Sequence, residues 1–232
     1  KQGDAKAALA RAKHRQTGRM DIGGQDHFYL EGHISFAIPG EDGDVLLHCS
    51  TQHPSEVQHN IANVLGRPAN AVTVEVRRMG GGFGGKETQA MQWAALAAIV
   101  ATKTGRPAKF RLDRDDDMVM TGKRHDFIVD YDVGFDDDGQ ICGLDIQYAA
   151  NCGFSADLSA AIADRAMFHT DNAYYLGDVE IRSYRCKTNL VSNTAFRGFG
   201  GPQGMVAIER IIDEIAMTVG RDPLDVRIAN YY

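Results

Sequence analysis

Gly80-Gly81-Gly82-Phe83-Gly84-Gly85-Lys86-Glu87 lies where the alternating run Val72, Val74, Val76 gives way to an alanine-rich stretch from Thr88 to Lys103. Apolar residues at a period of two read as a strand with one buried face, and an alanine-rich run closed by Gly105 and Pro107 reads as a helix. The octapeptide is therefore a strand-to-helix corner. Its centre, Gly82-Phe83-Gly84-Gly85, recurs 116 positions later as Gly198-Phe199-Gly200-Gly201, and each copy precedes a helix that stops at Gly105-Arg106-Pro107 or Gly220-Arg221-Asp222-Pro223, 115 positions apart. Two independent matches at nearly one spacing predict an internal duplication.

Working outward, Phe28, Leu30, Gly32, Ile34 and Phe36 alternate into the turn at 39–43, and Val45 to Cys49 reads as the returning strand. A short amphipathic helix follows from Pro54, with Val57, Ile61, Val64 and Leu65 on one face and Gly66 and Pro68 as stop signals. Before the second copy, Phe127, Val129, Tyr131, Val133 and Phe135 alternate into Asp136-Asp137-Asp138-Gly139, and Cys142, Leu144, Ile146 and Tyr148 alternate out. The predicted fold class is α+β, with duplicated β-hairpin/helix/strand/Gly-loop/helix units at approximately 25–107 and 125–223. Ser155 to His169 reads as a helix without a counterpart in the first half. Its Leu158, Ile162, Arg165 and Ala166 fall on one face, so Arg165 either meets an anionic partner or snorkels from the edge of the stripe. Residues 1–24, basic and weakly periodic, read as a linker or N-terminal arm, and the start at Lys1 suggests a piece of a longer polypeptide.

Composition removes several classes. The 232 residues are 44% hydrophobic and 24% charged, which is globular, and 25 Lys and Arg against 31 Asp and Glu leave a net charge of -6, a poor footprint for nucleic acid. The longest apolar run, Trp93 to Ala101, is too short to span a membrane. Cys49, Cys142, Cys152 and Cys186 carry neither a zinc spacing nor a disulfide framework, and a cytoplasmic setting is expected. The acidic runs lack the glycine and glutamate of a calcium loop, and no nucleophile elbow exists. Gly80, Gly85 and Lys86 match the frame of a phosphate-binding loop, but Glu87 replaces the magnesium-binding hydroxyl and Pro202 takes the place of Lys86 in the second copy. What remains is backbone N–H groups, open to a ligand because glycine has no Cβ, at two helix starts. Tight packing at two corners is the plainer alternative, as is a first-turn acid for Glu87 and a helix cap for Gln52.

Ser50-Thr51-Gln52, Gly80 to Glu87, Ala101-Thr102-Lys103-Thr104-Gly105-Arg106-Pro107, Leu112-Asp113-Arg114, Cys186-Lys187-Thr188-Asn189 and Ala195-Phe196-Arg197-Gly198-Phe199-Gly200-Gly201-Pro202-Gln203 together resemble the xanthine dehydrogenase family of molybdenum hydroxylases, over nearly the whole chain. The resemblance is to the first molybdenum-cofactor-binding lobe, residues 25–232 here. It implies a molybdopterin (pyranopterin) cofactor and oxidation of hypoxanthine or xanthine to urate by a metal-bound hydroxide, with hydride passing to a sulfido ligand. It implies that Gln52, Phe83 and Arg197 contact the metal centre and, with Gly82 and Gly84, the cofactor. Glu87, Arg165 and Phe199 would hold the purine. In the related aldehyde oxidases the positions of Glu87 and Arg165 are typically uncharged, which favours a purine. The family's general-base glutamate matches nothing here, so the piece is expected to be inactive alone. A second molybdenum lobe and domains or subunits carrying [2Fe-2S] and FAD are the implied partners. A nucleotide-binding phosphotransferase and a noncatalytic repeat module are the competing readings.

Overall fold

The computed structural model describes residues 1–232. In chain order the elements are α1 (Ala5–Arg11), β1 (His14–Ile22), β2 (Ile34–Pro39), β3 (Val45–Cys49), α2 (Pro54–Leu65), β4 (Val72–Glu75), α3 (Ala90–Thr104), β5 (Ala108–Arg111), α4 (Arg114–Met120), β6 (Phe127–Phe135), β7 (Ile141–Gly153), α5 (Ser159–Phe168), β8 (Val179–Lys187), α6 (Gly201–Val219) and α7 (Pro223–Asn230). They form two compact units interleaved in sequence. Lys1–Gly24, His125–Thr188 and Gly198–Tyr232 make the first, and Gln25–Arg124 with Asn189–Arg197 make the second. No helix is long and apolar enough to cross a membrane.

The first unit is a four-stranded sheet in the order β1-β6-β7-β8, with β6 and β7 a hairpin and β8 parallel to β7. Phe127, Val129, Tyr131, Val133 and Phe135 alternate onto one face with Leu144, Ile146, Tyr148 and Ala150 of β7, and all are buried. The apolar stripe Ala207, Ile208, Ile211, Ile212 and Ile215 of α6 belongs to the same core, at the 3-and-4 spacing of a helix with one buried face. Each buried isoleucine contributes about 1.5–3 kcal/mol relative to exposure. The opposite face carries Gly134 and Gly143, paired in register, and α1 lies there because a Cβ on Gly143 would come within 2.8 Å of Ala8 Cβ.

The second unit repeats the plan in the order β4-β3-β2-β5, with a β2–β3 hairpin and β4 parallel to β3. Ala37, Val45 and Leu47 meet Val57 and Ile61 of α2 and Ala94, Ala97, Ala98 and Ala101 of α3. In both units a hairpin is followed by a helix, a parallel strand, a glycine corner and a long helix. The outer strand beside the hairpin differs in origin: β5 follows the long helix, whereas β1 precedes the hairpin.

Several expectations change. Residues 1–24 are not an arm, since α1 and β1 are integral to the first unit. In β1 the inward residues His14, Gln16, Gly18, Met20 and Ile22 are only half-buried, so the strand shows no apolar alternation. The alternation at 28–36 points the wrong way: Phe28 and Leu30 are exposed, whereas Tyr29, His33, Ser35 and Ala37 are buried. The helix at 155–169 is not an addition, because α5 holds in the first unit the place of α2 in the second. Its buried residues are Ser159, Ile162, Ala163 and Ala166, and Arg165 faces outward, so no buried charge needs compensation there. Cys142 also faces outward, because an irregularity beside Phe135 pairs that residue with Ile141.

Candidate functional site

In the second unit, β3 ends at Cys49 and the chain turns through Ser50-Thr51-Gln52 into α2, whose first residue is Pro54. That turn grips the glycine corner. Gln52 Oε1 accepts from the Gly84 N–H at 2.8 Å and the Lys86 N–H at 3.3 Å, the Gln52 N–H donates to the Lys86 carbonyl at 2.9 Å, and Thr51 Oγ1 donates to the same carbonyl at 3.1 Å. With its oxygen committed, the Gln52 amide keeps Nε2 as an unpartnered donor. Gly82 leaves room for the Gln52 side chain: a Cβ there would run into the amide oxygen that the loop N–H groups hold in place.

Phe83 adopts φ 54° and Gly84 φ 105°. A bulky side chain in the left-handed region stores about 1–3 kcal/mol and persists only where its surroundings enforce it. Here the enforcing contact is the segment 195–197. The Phe83 carbonyl accepts from the Arg197 N–H at 2.9 Å, and a Cβ on Gly84 would lie 2.7 Å from the Ala195 carbonyl group. The Phe83 N–H is without a partner and its ring is half exposed. The Arg197 guanidinium is exposed. Beneath it, Arg124 is 8% exposed; it donates from Nη2 to the Arg197 carbonyl at 2.7 Å and stacks 4.0 Å over the Phe196 ring. Burial without a carboxylate lowers the Arg124 pKa. His27 Nε2 donates to the Ala195 carbonyl at 2.6 Å, which fixes its tautomer, and burial lowers its pKa too.

Lys86 settles the phosphate-loop alternative. Its side chain is fully buried, and Nζ donates to the Glu31 carbonyl at 2.6 Å and to Ser50 Oγ at 2.9 Å while lying 4.7 Å from the Tyr29 ring. The ammonium points into the protein, away from any ligand held on the loop. Glu87, the next residue, is half-buried, and its N–H donates to the Gly84 carbonyl at 3.4 Å.

Deeper in this unit His33 is buried between Tyr29 and Trp93, and Tyr29 OH donates to Asp117 Oδ1 at 2.7 Å. Burial pushes the His33 pKa down to about 4 from 6.5, and the Asp117 carboxylate only partly opposes this. Between those values the unfolded chain binds a proton that the folded one refuses. The stabilisation is therefore complete above pH 6.5 and is lost as pH falls toward 4, by about 3 kcal/mol. Urea unfolding of wild type and His33→Phe at pH 7 and pH 4.5 should show a clearly smaller acid loss in the variant; equal losses would remove His33 as its source.

In the first unit the second glycine corner shares part of the backbone of the first: Phe199 and Gly200 adopt φ 51° and 94°, as Phe83 and Gly84 do, whereas Gly198 has a positive φ of 93° that its counterpart Gly82 lacks. It packs on α5, where a Cβ on Gly200 would overlap the Ile162 carbonyl and one on Gly204 the Ala166 carbonyl. Phe199 is half-buried, and Arg165 is exposed on α5. Of the residues singled out in the sequence, Gln52, Gly82, Phe83, Gly84, Glu87 and Arg197 thus fall in the second unit, the first four and Arg197 in direct hydrogen-bond or steric linkage. Arg165 and Phe199 fall in the first, on elements packed together. Sequence reasoning missed Glu31, Arg124 and His27, whose contacts are made to backbone carbonyls and N–H groups across 49 to 168 positions, a relation that leaves no local pattern.

A family profile described as "Molybdopterin cofactor-binding domain" matches residues 1–231. The chain is 49% identical over 230 residues to the xanthine dehydrogenase of Drosophila subobscura and 48% identical over 233 residues to the xanthine dehydrogenase/oxidase of Gallus gallus; the matches cover 99% and 100% of this chain and 17% of each relative. Among solved structures, the aldehyde oxidoreductase of Desulfovibrio gigas superposes with a TM-score of 0.85 at 27% identity, covering 100% of this chain and 25% of that one. The quinoline 2-oxidoreductase of Pseudomonas putida 86 superposes with a TM-score of 0.87 at 22% identity, over 99% of this chain and 30% of that one, a likeness of fold alone.

Proposed function

The chain belongs to the molybdopterin cofactor-binding domain family, and from that premise we propose that it is the lobe of a molybdenum hydroxylase that grips the pyranopterin cofactor and orients a purine for oxidation. The observation that carries the reading is the Gln52 amide, whose oxygen is spent on the Gly84 and Lys86 N–H groups and whose Nε2 is left to donate outward. The residues present fit such a group. Gln52 Nε2, the free Phe83 N–H and the exposed Arg197 guanidinium are all donors, the set an oxygen-rich anionic ligand requires, and Gly82 and Gly84 leave the backbone uncovered. When bound, the cofactor supplies the two-electron chemistry that side chains lack.

The chain's own residues bind and orient. Gln52, Phe83 and Arg197 would hold the cofactor through hydrogen bonds, with Gly82 and Gly84 giving close approach. Glu87 accepts from a purine N–H, Arg165 stabilises negative charge that builds on the ring during attack, and Phe199 packs its ring against the purine plane. The carboxylate and guanidinium at Glu87 and Arg165, and the identity to xanthine dehydrogenases, support purine over aldehyde. The likeness to the Desulfovibrio gigas enzyme keeps an aldehyde as the second reading. A second molybdenum lobe and the [2Fe-2S] and FAD groups belong to further parts of the enzyme, in keeping with a chain that spans 17% of the length of these relatives.

Metal and pterin analysis of the native complex containing this chain tests the proposal. The expected result is about one molybdenum and one oxidisable pterin per copy, with turnover of hypoxanthine well above that of an aromatic aldehyde. A complex from cofactor-competent cells with neither metal nor pterin would leave the fold without the chemistry, and aldehyde turnover alone would transfer the assignment to the second reading.

A further inference from the structure

Glu31 touches both ends of the glycine loop. Its N–H donates to the Gly80 carbonyl at 3.1 Å and its Oε2 accepts from the Gly80 N–H at 2.7 Å, so the first residue of the loop is held on both sides. Six positions on, Lys86 Nζ donates to the Glu31 carbonyl. The loop 80–86 is thereby closed into a ring through one residue. The other Nζ bond, to Ser50 Oγ, the Gln52 N–H bond to the Lys86 carbonyl and the Lys86 N–H bond to Gln52 Oε1 carry the constraint to the amide that presents the free Nε2.

A fully buried lysine is a poor way to fill space. Its charge is taken from water without an ion pair, and an apolar side chain of similar length would occupy the slot without that desolvation. What lysine adds is directional donation, here to a carbonyl and an aromatic face on the segment 29–31 and to a hydroxyl at the end of β3. We infer that Glu31 and Lys86 are positioning residues that buckle the glycine loop, fixing the Gln52 Nε2 donor and the Phe83 N–H in place before the cofactor arrives. The inference rests on the reading of this loop as the cofactor grip, and the gain is preorganisation: a loop already ordered loses less freedom when it binds.

The test uses the full-length enzyme with Lys86→Met and Glu31→Ala, and three readouts. In enzyme prepared without molybdenum, amide hydrogen exchange at Gly84 and Lys86 should be about tenfold faster in Lys86→Met, with α3 beyond Ala94 unchanged. In loaded preparations, molybdenum and pterin per copy should fall about fivefold in Lys86→Met and about twofold in Glu31→Ala, the smaller loss matching one lost hydrogen bond. The Mo(V) electron paramagnetic resonance signal of the fraction that does load should shift, which a merely structural role would not cause. Full loading with wild-type signal and exchange in both variants overturns the inference, as does faster exchange with loading and signal unchanged. Should Lys86→Met fail to accumulate, Glu31→Ala decides on the same readouts. A wild-type enzyme without molybdenum sinks the functional reading instead, and the exchange arm still judges the buckle: unchanged exchange overturns it and faster exchange supports it.

Discussion

Gly200→Ala should destabilise the first unit by about 3–5 kcal/mol, the sum of a left-handed conformation forced on a residue with a Cβ and of overpacking against rigid backbone. Gly200 caps the N-terminus of α6 at φ 94°, and a Cβ there would overlap the Ile162 carbonyl of α5, which belongs to a helix and has no room to retreat. The control is at the other end of the same helix. Gly220 also has a positive φ, 69°, but nothing lies within 4 Å of its would-be Cβ, so Gly220→Ala should cost only about 1 kcal/mol. Chemical denaturation of both variants separates conformation from collision. Equal losses would mean that α5 yields, and that the corner is not the tight joint its geometry describes.

Glu87→Ala and Arg165→Met should each lower purine turnover by about tenfold or more, with molybdenum content unchanged. The logic is one of position: the ties from Gln52 and Glu31 to the loop stay in place in both variants, so the cofactor stays, while the groups proposed to meet the purine are removed. Arg165 is the sharper test. It is exposed on α5, outside the buried stripe, so its replacement should leave stability within about 0.5 kcal/mol of wild type. A tenfold loss there is then about 1.4 kcal/mol of transition-state stabilisation. Unaltered purine turnover in both variants would sink the substrate assignment while leaving the cofactor grip standing.

The sequence made some of this legible and hid the rest for identifiable reasons. Both hairpin turns, α2 with its proline start and Gly66 stop, and the two glycine corners announce themselves because each depends on local chemistry: a turn, a cap, a positive φ. The α+β class follows from those parts. The strand β1 was invisible because it lies at the sheet edge, where Gly18 sits beneath the Tyr131 ring and Gln16 takes the place of an apolar residue. The buried face of 27–36 was misread because its inward side chains, His27, Tyr29, His33 and Ser35, are polar and are satisfied or desolvated by residues far along the chain. For Arg165 the spacing leaves burial and snorkelling both open, because one helical turn does not fix which side of a half-apolar stripe faces the sheet. Gln52 could be picked out only through resemblance, since its spacing alone fits a helix cap equally well. Lys86 was visible as a motif letter and misleading as one, because the motif says nothing of the direction in which its side chain runs.

The interleaving of the two units sets an order of events during synthesis. All but nine residues of the second unit are made as one uninterrupted run, Gln25–Arg124, whereas β1 of the first unit must wait for β6, whose pairing partners lie 105 to 121 positions downstream. At roughly 5–20 residues per second, the nascent β1 spends about 5–25 s as an unpaired strand while the second unit condenses behind it. Its alternate positions Arg15, Thr17, Arg19 and Asp21 are exposed and mostly charged, and in that interval they keep a lone strand from pairing with a neighbouring chain on the same messenger.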